Sequence, residues 1–212
     1  MNNECIINLI KDAVLNEIKE KNNNFNNIKV GVSGRHVHLS KEDLEILFGE
    51  NYKLNIKKEL MAGDFAAEET VTIVGDKLKA IEKVRVLGPT RKDTQVEISS
   101  TDAVFLGVKA PIRISGDIRN SAAITIIGPK GVVRKKEGCI IAKRHIHMSP
   151  NDRKILGIEN SRISVRVKGE RAGVLEDIEV RVNENYNLEI HIDTDEANAL
   201  NIKSGDFVQL LT

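Results

Sequence analysis

Tryptophan is absent from the 212 residues, aromatic side chains amount to 3 %, and there are two cysteines, Cys5 and Cys139. Two thiols without C-x-x-C spacing exclude a disulfide framework and point to a reducing compartment. No apolar run approaches the roughly 20 residues that a membrane span needs, and no secretory signal is visible. Charge of one sign is also missing: 32 basic side chains face 31 acidic ones, so no basic excess advertises nucleic acid. What remains is an ordinary water-soluble composition, 41 % apolar and 30 % charged, long enough for one large domain or two small ones.

Residues 5–18 place Ile6, Ile10, Val14 and Ile18 on one stripe of an amphipathic helix. The polar run Lys21-Asn-Asn-Asn-Phe-Asn-Asn follows and reads as a linker, so residues 1–27 form an appendage. The helix either covers a core or docks a partner. From Ile28 the texture changes to short β-rich runs, among them Thr70–Val74, Lys83–Leu87, Gln95–Ile98, Ile124–Ile127 and Ser164–Val167. Closely spaced Gly and Pro favour barrels or sandwiches over a βαβ sheet, so the expectation is mainly β structure.

An internal repeat is legible. Arg35-His-Val-His-Leu-Ser-Lys-Glu-Asp-Leu-Glu-Ile-Leu recurs 109 positions later as Arg144-His-Ile-His-Met-Ser-Pro-Asn-Asp-Arg-Lys-Ile-Leu. Each copy reads as a strand bearing two histidines, then a helix capped by Ser40 or Ser149, with Asp43 or Asp152 completing a loose capping box and Pro150 at a first helical position. A fainter repeat aligns Val96-Glu-Ile-Ser-Ser-Thr-Asp-Ala with Ile190-His-Ile-Asp-Thr-Asp-Glu-Ala, each an alternating strand entering a short helix through a Ser/Thr cap. Glu97 thereby stands where His191 stands. About 20 extra residues around Gly49 to Glu69 read as a hairpin inserted in the first half.

Alternation along a strand points His36 and His38 to one face, and likewise His145 and His147. Five histidines placed at random in this length would give on the order of 0.1 His-x-His pairs, whereas two occur in matching contexts. Histidines that merely fill a polar core would not need the same string twice, so metal ligation is the stronger reading. The repeat supplies a third ligand to each pair, Glu97 and His191. His₂Glu and His₃ sets with an open position are ligand sets of catalytic zinc, although Co, Fe or Mn could use the same donors. Gly88-Pro89 predicts a turn that sets Arg91 on a loop six residues before Glu97, where its guanidinium can hold an oxyanion. A surface ion pair is the alternative for Arg91. Arg35, Lys58, Lys77, Arg85, Arg113 and Arg144 read individually as solvated charges.

The doubled Arg-His-x-His string, the segment Val84-Arg-Val-Leu-Gly-Pro-x-Arg-x-x-x-Gln-Val-Glu-Ile-Ser and the late Ile190-His-Ile-Asp-x-Asp-Glu-Ala-Asn-Ala together resemble the PduL-type phosphate propanoyltransferases over about residues 28–212. The resemblance implies two intertwined β-barrels with short capping helices, the first from 28–34 and 143–212, the second from 35–142. It also implies two zinc ions per chain, one held by His36, His38 and Glu97, the other by His145, His147 and His191, with Arg91 on phosphate. Coenzyme A contacts carry over to Ser33, Arg85 and Asn198, and to Lys77 or Lys79 in a turn that departs from the family pattern. The implied reaction takes acyl-CoA and phosphate to acyl phosphate and CoA. Relatives in bacterial microcompartments carry an N-terminal amphipathic helix and linker as an encapsulation tag, so a shell or lumen protein is an implied partner. Cytoplasmic residence without a shell stays open, as does a homo-oligomer.

No Ser or Cys sits in a recognisable nucleophile arrangement, so phosphate is expected to attack directly, without an acyl-enzyme. Two other classes fit part of the pattern. A binuclear zinc thioester hydrolase would use the open sites to activate water, and a non-catalytic zinc scaffold would gain nothing from Arg91 beside a ligand.

Overall fold

The computed structural model describes residues 27–211. The helix and linker expected over 1–27 lie outside the described residues apart from Asn27, which already opens the first strand. The first half runs β1 (Asn27–Ser33), β2 (His36–Ser40), α1 (Lys41–Phe48), β3 (Ile56–Glu59), β4 (Phe65–Val74), β5 (Ala80–Arg91), β6 (Gln95–Glu97) and α2 (Ser100–Leu106). It continues through β7 (Ile112–Arg113), β8 (Ala122–Ile127) and β9 (Val132–Ala142). The second half runs β10 (His145–Met148), α3 (Pro150–Ile155), β11 (Arg162–Val167), β12 (Gly173–Val182), β13 (Glu189–Asp193), α4 (Thr194–Leu200) and β14 (Phe207–Leu211). The β-rich runs read from the sequence fall on strands, with Ile98 one residue beyond the end of β6.

Two six-stranded barrels result. The first closes in the order β1, β13, β10, β12, β11, β14. In the second, β4, β5, β2, β6 and β9 follow one another, and β8 closes the ring by pairing with both β9 and β4. The first barrel is split in the chain, β1 standing apart from β10–β14, whereas the second is one continuous segment from β2 to β9. Strand β1 completes the first barrel, then Gly34 and Arg35 carry the chain across to β2 in the second. Strand β9 completes the second, and Lys143 and Arg144 carry it back to β10. The two completing strands pair in parallel with β13 and β6, a pairing that a simple hairpin cannot make.

The cores follow the same division. Ile28 and Val30 of β1 are buried with Ile146, Ile178 and Ile190, whereas Cys139 of β9 is buried with Val37, Leu39 and Val96. Each fully buried aliphatic side chain contributes about 1.5–3 kcal/mol, so withdrawing β1 would strip apolar contacts from a barrel whose other strands all follow β9 in the chain. Alternation then sorts the motif residues: Val37, Leu39, Ile146 and Met148 enter the barrels, and the histidines between them face outward.

The segment after α1 contains β3, a 3₁₀ turn at Met61–Gly63 and the start of β4, with β3 and β4 antiparallel. Its base is fixed by the buried Glu69 carboxylate, which accepts from Tyr52 Oη at 2.9 Å and from Asn55 Nδ2 at 2.7 Å.

The capping details differ in part from the sequence reading. Ser149 and Asp152 form a full capping box, with Pro150 in the first turn. Ser40 caps α1, but the Asp43 carboxylate turns away to Lys135 Nζ at 2.9 Å, so that box stays half-made. Helix α2 is capped by Ser99 and α4 by Asp193; no Ser/Thr cap serves the second copy, because Thr194 is already helical. Arg35 and Arg144 are not free solvated charges. Arg35 Nε lies 2.9 Å from Asp102 and Arg144 Nη1 2.7 Å from Glu196, each the acid that closes its helix's capping box.

Candidate active site

The third ligand of each group is placed by strand register. His36 stands directly opposite Glu97 on the antiparallel neighbour β6, and His145 directly opposite His191 on β13. Opposed residues share a face with Cβ atoms about 5 Å apart, and the second histidine follows two residues on. His36, His38 and Glu97 thus offer donor atoms all within 4.8 Å of one another, as do His145, His147 and His191. The first group is buried and the second half-buried.

The crossovers orient the leading imidazoles. His36 Nδ1 lies 2.9 Å from the Gly34 carbonyl and His145 Nδ1 2.9 Å from the Lys143 carbonyl. A carbonyl only accepts, so each ring carries a hydrogen on Nδ1, which leaves Nε2 as the nitrogen available to a ligand. Both crossovers also bring the two groups to one narrow cleft at the junction of the barrels, lined by Ser33, His36, Glu97, Lys143, His145 and His191.

Burial pushes His38 down to about 3, helped by the charges of His36 and Arg91. It likewise pushes His145 down to about 4 and His147 to about 3. His36 is raised, because the Glu97 carboxylate and the Gly34 carbonyl outweigh the desolvation that would lower it. Desolvation alone would raise Glu97, yet the charge and hydrogen bond of His36 and the bond from Ser115 hold it well below the usual carboxylate range. At neutral pH His38, His145 and His147 are therefore uncharged imidazoles, and Glu97 is an ionised carboxylate.

Arg91 is the last residue of β5 and not on a loop. Gly88, Pro89 and Thr90 do not break the strand; they form an irregularity between the pairs His38–Leu87 and Ser40–Arg91. Gly88 is required there, since a Cβ would run into the Phe65 ring on β4. The Arg91 guanidinium lies 3.4 Å from Ser115 Oγ and 3.4 Å from Asp64 Oδ2, so the inserted segment reaches the site through Asp64.

The remaining predicted contacts are spread more widely. Ser33 lines the cleft. Asn198 lines a groove between α2 and α4, whose N-terminal turns meet where Thr101 N–H donates to Asp195 at 2.7 Å. Arg85 donates to the carbonyls of Ala67 and Glu68 at 2.9 and 2.7 Å. Lys77 lies over Gly107 at the far end of α2, and Lys79 over the Phe105 ring.

Several neighbours escaped the sequence reading. Ser115 Oγ donates to Glu97 Oε1 at 2.6 Å, and Gln95 Nε2 reaches the same oxygen at 2.6 Å and Ser115 Oγ at 3.0 Å. Glu189 Oε2 lies 3.1 Å from His191 Nε2. Arg181, opposite His147 in register, has no ion pair among the described residues. Gln95 and Glu189 share a strand face with the third ligands, which alternation could have signalled; Ser115 is brought in only by tertiary structure.

Comparison with known proteins identifies the chain's relatives. The phosphate propanoyltransferase family profile matches residues 29–203. The chain is 54 % identical over 208 residues to a phosphate propanoyltransferase of Lachnoclostridium phytofermentans, covering 97 % of this chain and 98 % of that one. It is 51 % identical over 210 residues to one from Thermotoga maritima, covering 96 % and 99 %. A Listeria monocytogenes phosphate propanoyltransferase is 42 % identical over 207 residues, covering 97 % and 94 %. With the profile spanning most of the chain and the relatives aligned end to end, the chain belongs to the phosphate propanoyltransferase family of acyltransferases.

Proposed function

We propose that the protein transfers a short acyl group, propanoyl in the first instance, between coenzyme A and phosphate at the cleft between the barrels. The observation that carries this is the joining of an anion-binding group to a metal-type triad: Arg91 contacts Ser115, and Ser115 holds Glu97. Both donor sets fit a zinc ion. Among the described residues His38 Nδ1 and His147 Nδ1 are buried without a hydrogen-bond partner, at matching places in the two halves. Unpaired buried nitrogens are costly unless a ligand uses the ring, and three-donor sets leave a position open. His36, His38 and Glu97 would hold one ion, and His145, His147 and His191 the other. When bound, zinc would supply Lewis acidity toward the thioester carbonyl and the departing sulfur.

The chain's own groups account for the rest. Arg91 holds phosphate by paired N–H donors and offsets its charge, fixing one oxygen toward the acyl carbon. That oxygen forms the new C–O bond as the C–S bond breaks, leaving acyl phosphate and the CoA thiolate. No acyl-enzyme is needed: Cys139 is buried in the second barrel, and burial pushes its thiol up to about 12. Ser33 at the cleft, Asn198 in the helix groove, and Arg85 and Lys77 flanking α2 and β4 are the proposed coenzyme A contacts. Residues 1–27 are proposed as the tag that brings the enzyme to a microcompartment protein.

The test is CoA release with and without phosphate over several acyl donors, alongside metal analysis. Release should require phosphate, and two zinc ions should be found per chain. Carboxylate appearing without phosphate would make the protein a thioester hydrolase instead.

A further inference from the structure

Strand β12 lies parallel to β10 and brings two more side chains to the face of the second histidine group. Glu179 stands opposite His145 and Arg181 opposite His147, and paired residues on neighbouring strands share a face. In the first half Arg85 and Leu87 take the corresponding positions beside His36 and His38. A guanidinium thus stands in the second half where the first has an apolar side chain.

The carboxylates near that guanidinium are already engaged. Glu179 lies 3.5 Å from Lys143 Nζ and 3.6 Å from Arg162 Nε, and Glu189 on β13 lies 3.3 Å from Lys29 Nζ. Arg181 itself is half-buried and makes no hydrogen bond or ion pair among the described residues. Desolvation lowers His145 and His147 most, and the charge of Arg181 adds to it in both, so the guanidinium is near enough to be felt there. The two groups therefore differ in electrostatic balance. The first contains the Glu97 carboxylate, and Asp64 lies 3.4 Å from Arg91. The second consists of three imidazoles, with Arg181 beside them and no carboxylate on it. A half-buried cation beside a set suited to a metal ion calls for an anion, and the planar fork of N–H donors matches phosphoryl oxygens. Both substrates of the proposed reaction, phosphate and the coenzyme A thioester, carry such oxygens.

We infer that Arg181 is a second phosphoryl-binding residue, holding oxygens of inorganic phosphate or of a coenzyme A phosphate beside the second histidine group; this rests on the acyl-transfer reading above. The test is calorimetric titration of the zinc-loaded protein with inorganic phosphate and with CoA, and kinetics with each substrate varied, for the wild type, Arg181→Ala and Arg181→Lys. Arg181→Ala should weaken one of the two ligands about 10–100-fold and raise the matching KM. Loss confined to inorganic phosphate assigns the residue to that substrate, and loss confined to CoA assigns it to the thioester. Arg181→Lys keeps the charge without the fork and should recover part of the affinity; Arg181→Gln serves if the Ala variant does not fold. Unchanged affinity for both ligands in Arg181→Ala overturns the inference, and so does a variant that loses zinc or whose kcat alone falls. If the wild type releases CoA without phosphate, the acyl-transfer reading fails; if its release needs phosphate and Arg181→Ala matches it, only the role of Arg181 fails.

Discussion

His38, His145 and His147 refuse protons in the folded chain to about 3, 4 and 3, chiefly through desolvation, whereas unfolded histidine titrates near about 6.5. Between those values the unfolded chain binds more protons, so acidification favours unfolding. His36, raised, contributes the opposite sign: its stabilisation is present below about 6.5 and is lost as pH rises through its folded value. Lowered Glu97 sides with the three depressed histidines at more acid pH. The metal-stripped protein should therefore melt lower at pH 5 than at pH 7.5 in thermal denaturation, and equal melting temperatures would contradict the burial assigned to these rings. Arg91 makes a separate prediction. Only about a third exposed and bound to the protein by two long contacts, it is available to an incoming anion. Arg91→Ala should keep both ions yet lose phosphate-dependent turnover by roughly 100-fold or more; unchanged kinetics would remove it from the mechanism.

Strand β5 shows how an element delivers that arginine. Its partner β2 advances from His38 to Ser40 while β5 advances from Leu87 to Arg91, and the slack is taken up against the Phe65 ring. Gly88→Ala should displace that ring, costing about 1–3 kcal/mol by overpacking and raising the KM for phosphate more than that for acyl-CoA. Steady-state kinetics and a denaturant titration together check it, and a stability loss with both constants unchanged would show that β5 does not govern Arg91. The short helices have a parallel role. Each capping box that closes α2 or α4 is tied by Arg35 or Arg144 to the residue before a histidine strand, so helix and ligand strand are held as one unit.

For the molecule as a whole, the crossovers from β1 to β2 and from β9 to β10 make the cleft a property of both barrels at once. The crossover carbonyls of Gly34 and Lys143 bond the first histidine of each group, and the same crossovers line the space between the groups. Exhaustive chelation should abolish CoA release, and added zinc should restore it without refolding, because two apolar cores and not the ions hold the barrels together. Activity that survived chelation would refute the metal reading. Deleting residues 1–24 should leave turnover intact and abolish uptake into microcompartments, since the barrels begin at Asn27; loss of folding would show instead that the segment packs on them. Among the described residues no helix is long and apolar enough to cross a membrane.

The mainly β fold was legible because alternation and repeat spacing are local properties of a chain: the same Arg-His-x-His string 109 residues apart reads as two equivalent strands. The equivalence of Glu97 and His191 was legible for the same reason. Spacing alone could not place Arg91, since Gly88-Pro89 reads locally as a turn, and only packing against Phe65 makes it an irregularity within a strand. Nor could it supply Ser115, Asp64 or the pairing of Arg35 with Asp102, which depend on distant segments meeting. A sequence determines which faces its side chains take; which faces then confront one another is decided when strands distant in the chain, β1 among them, close into barrels.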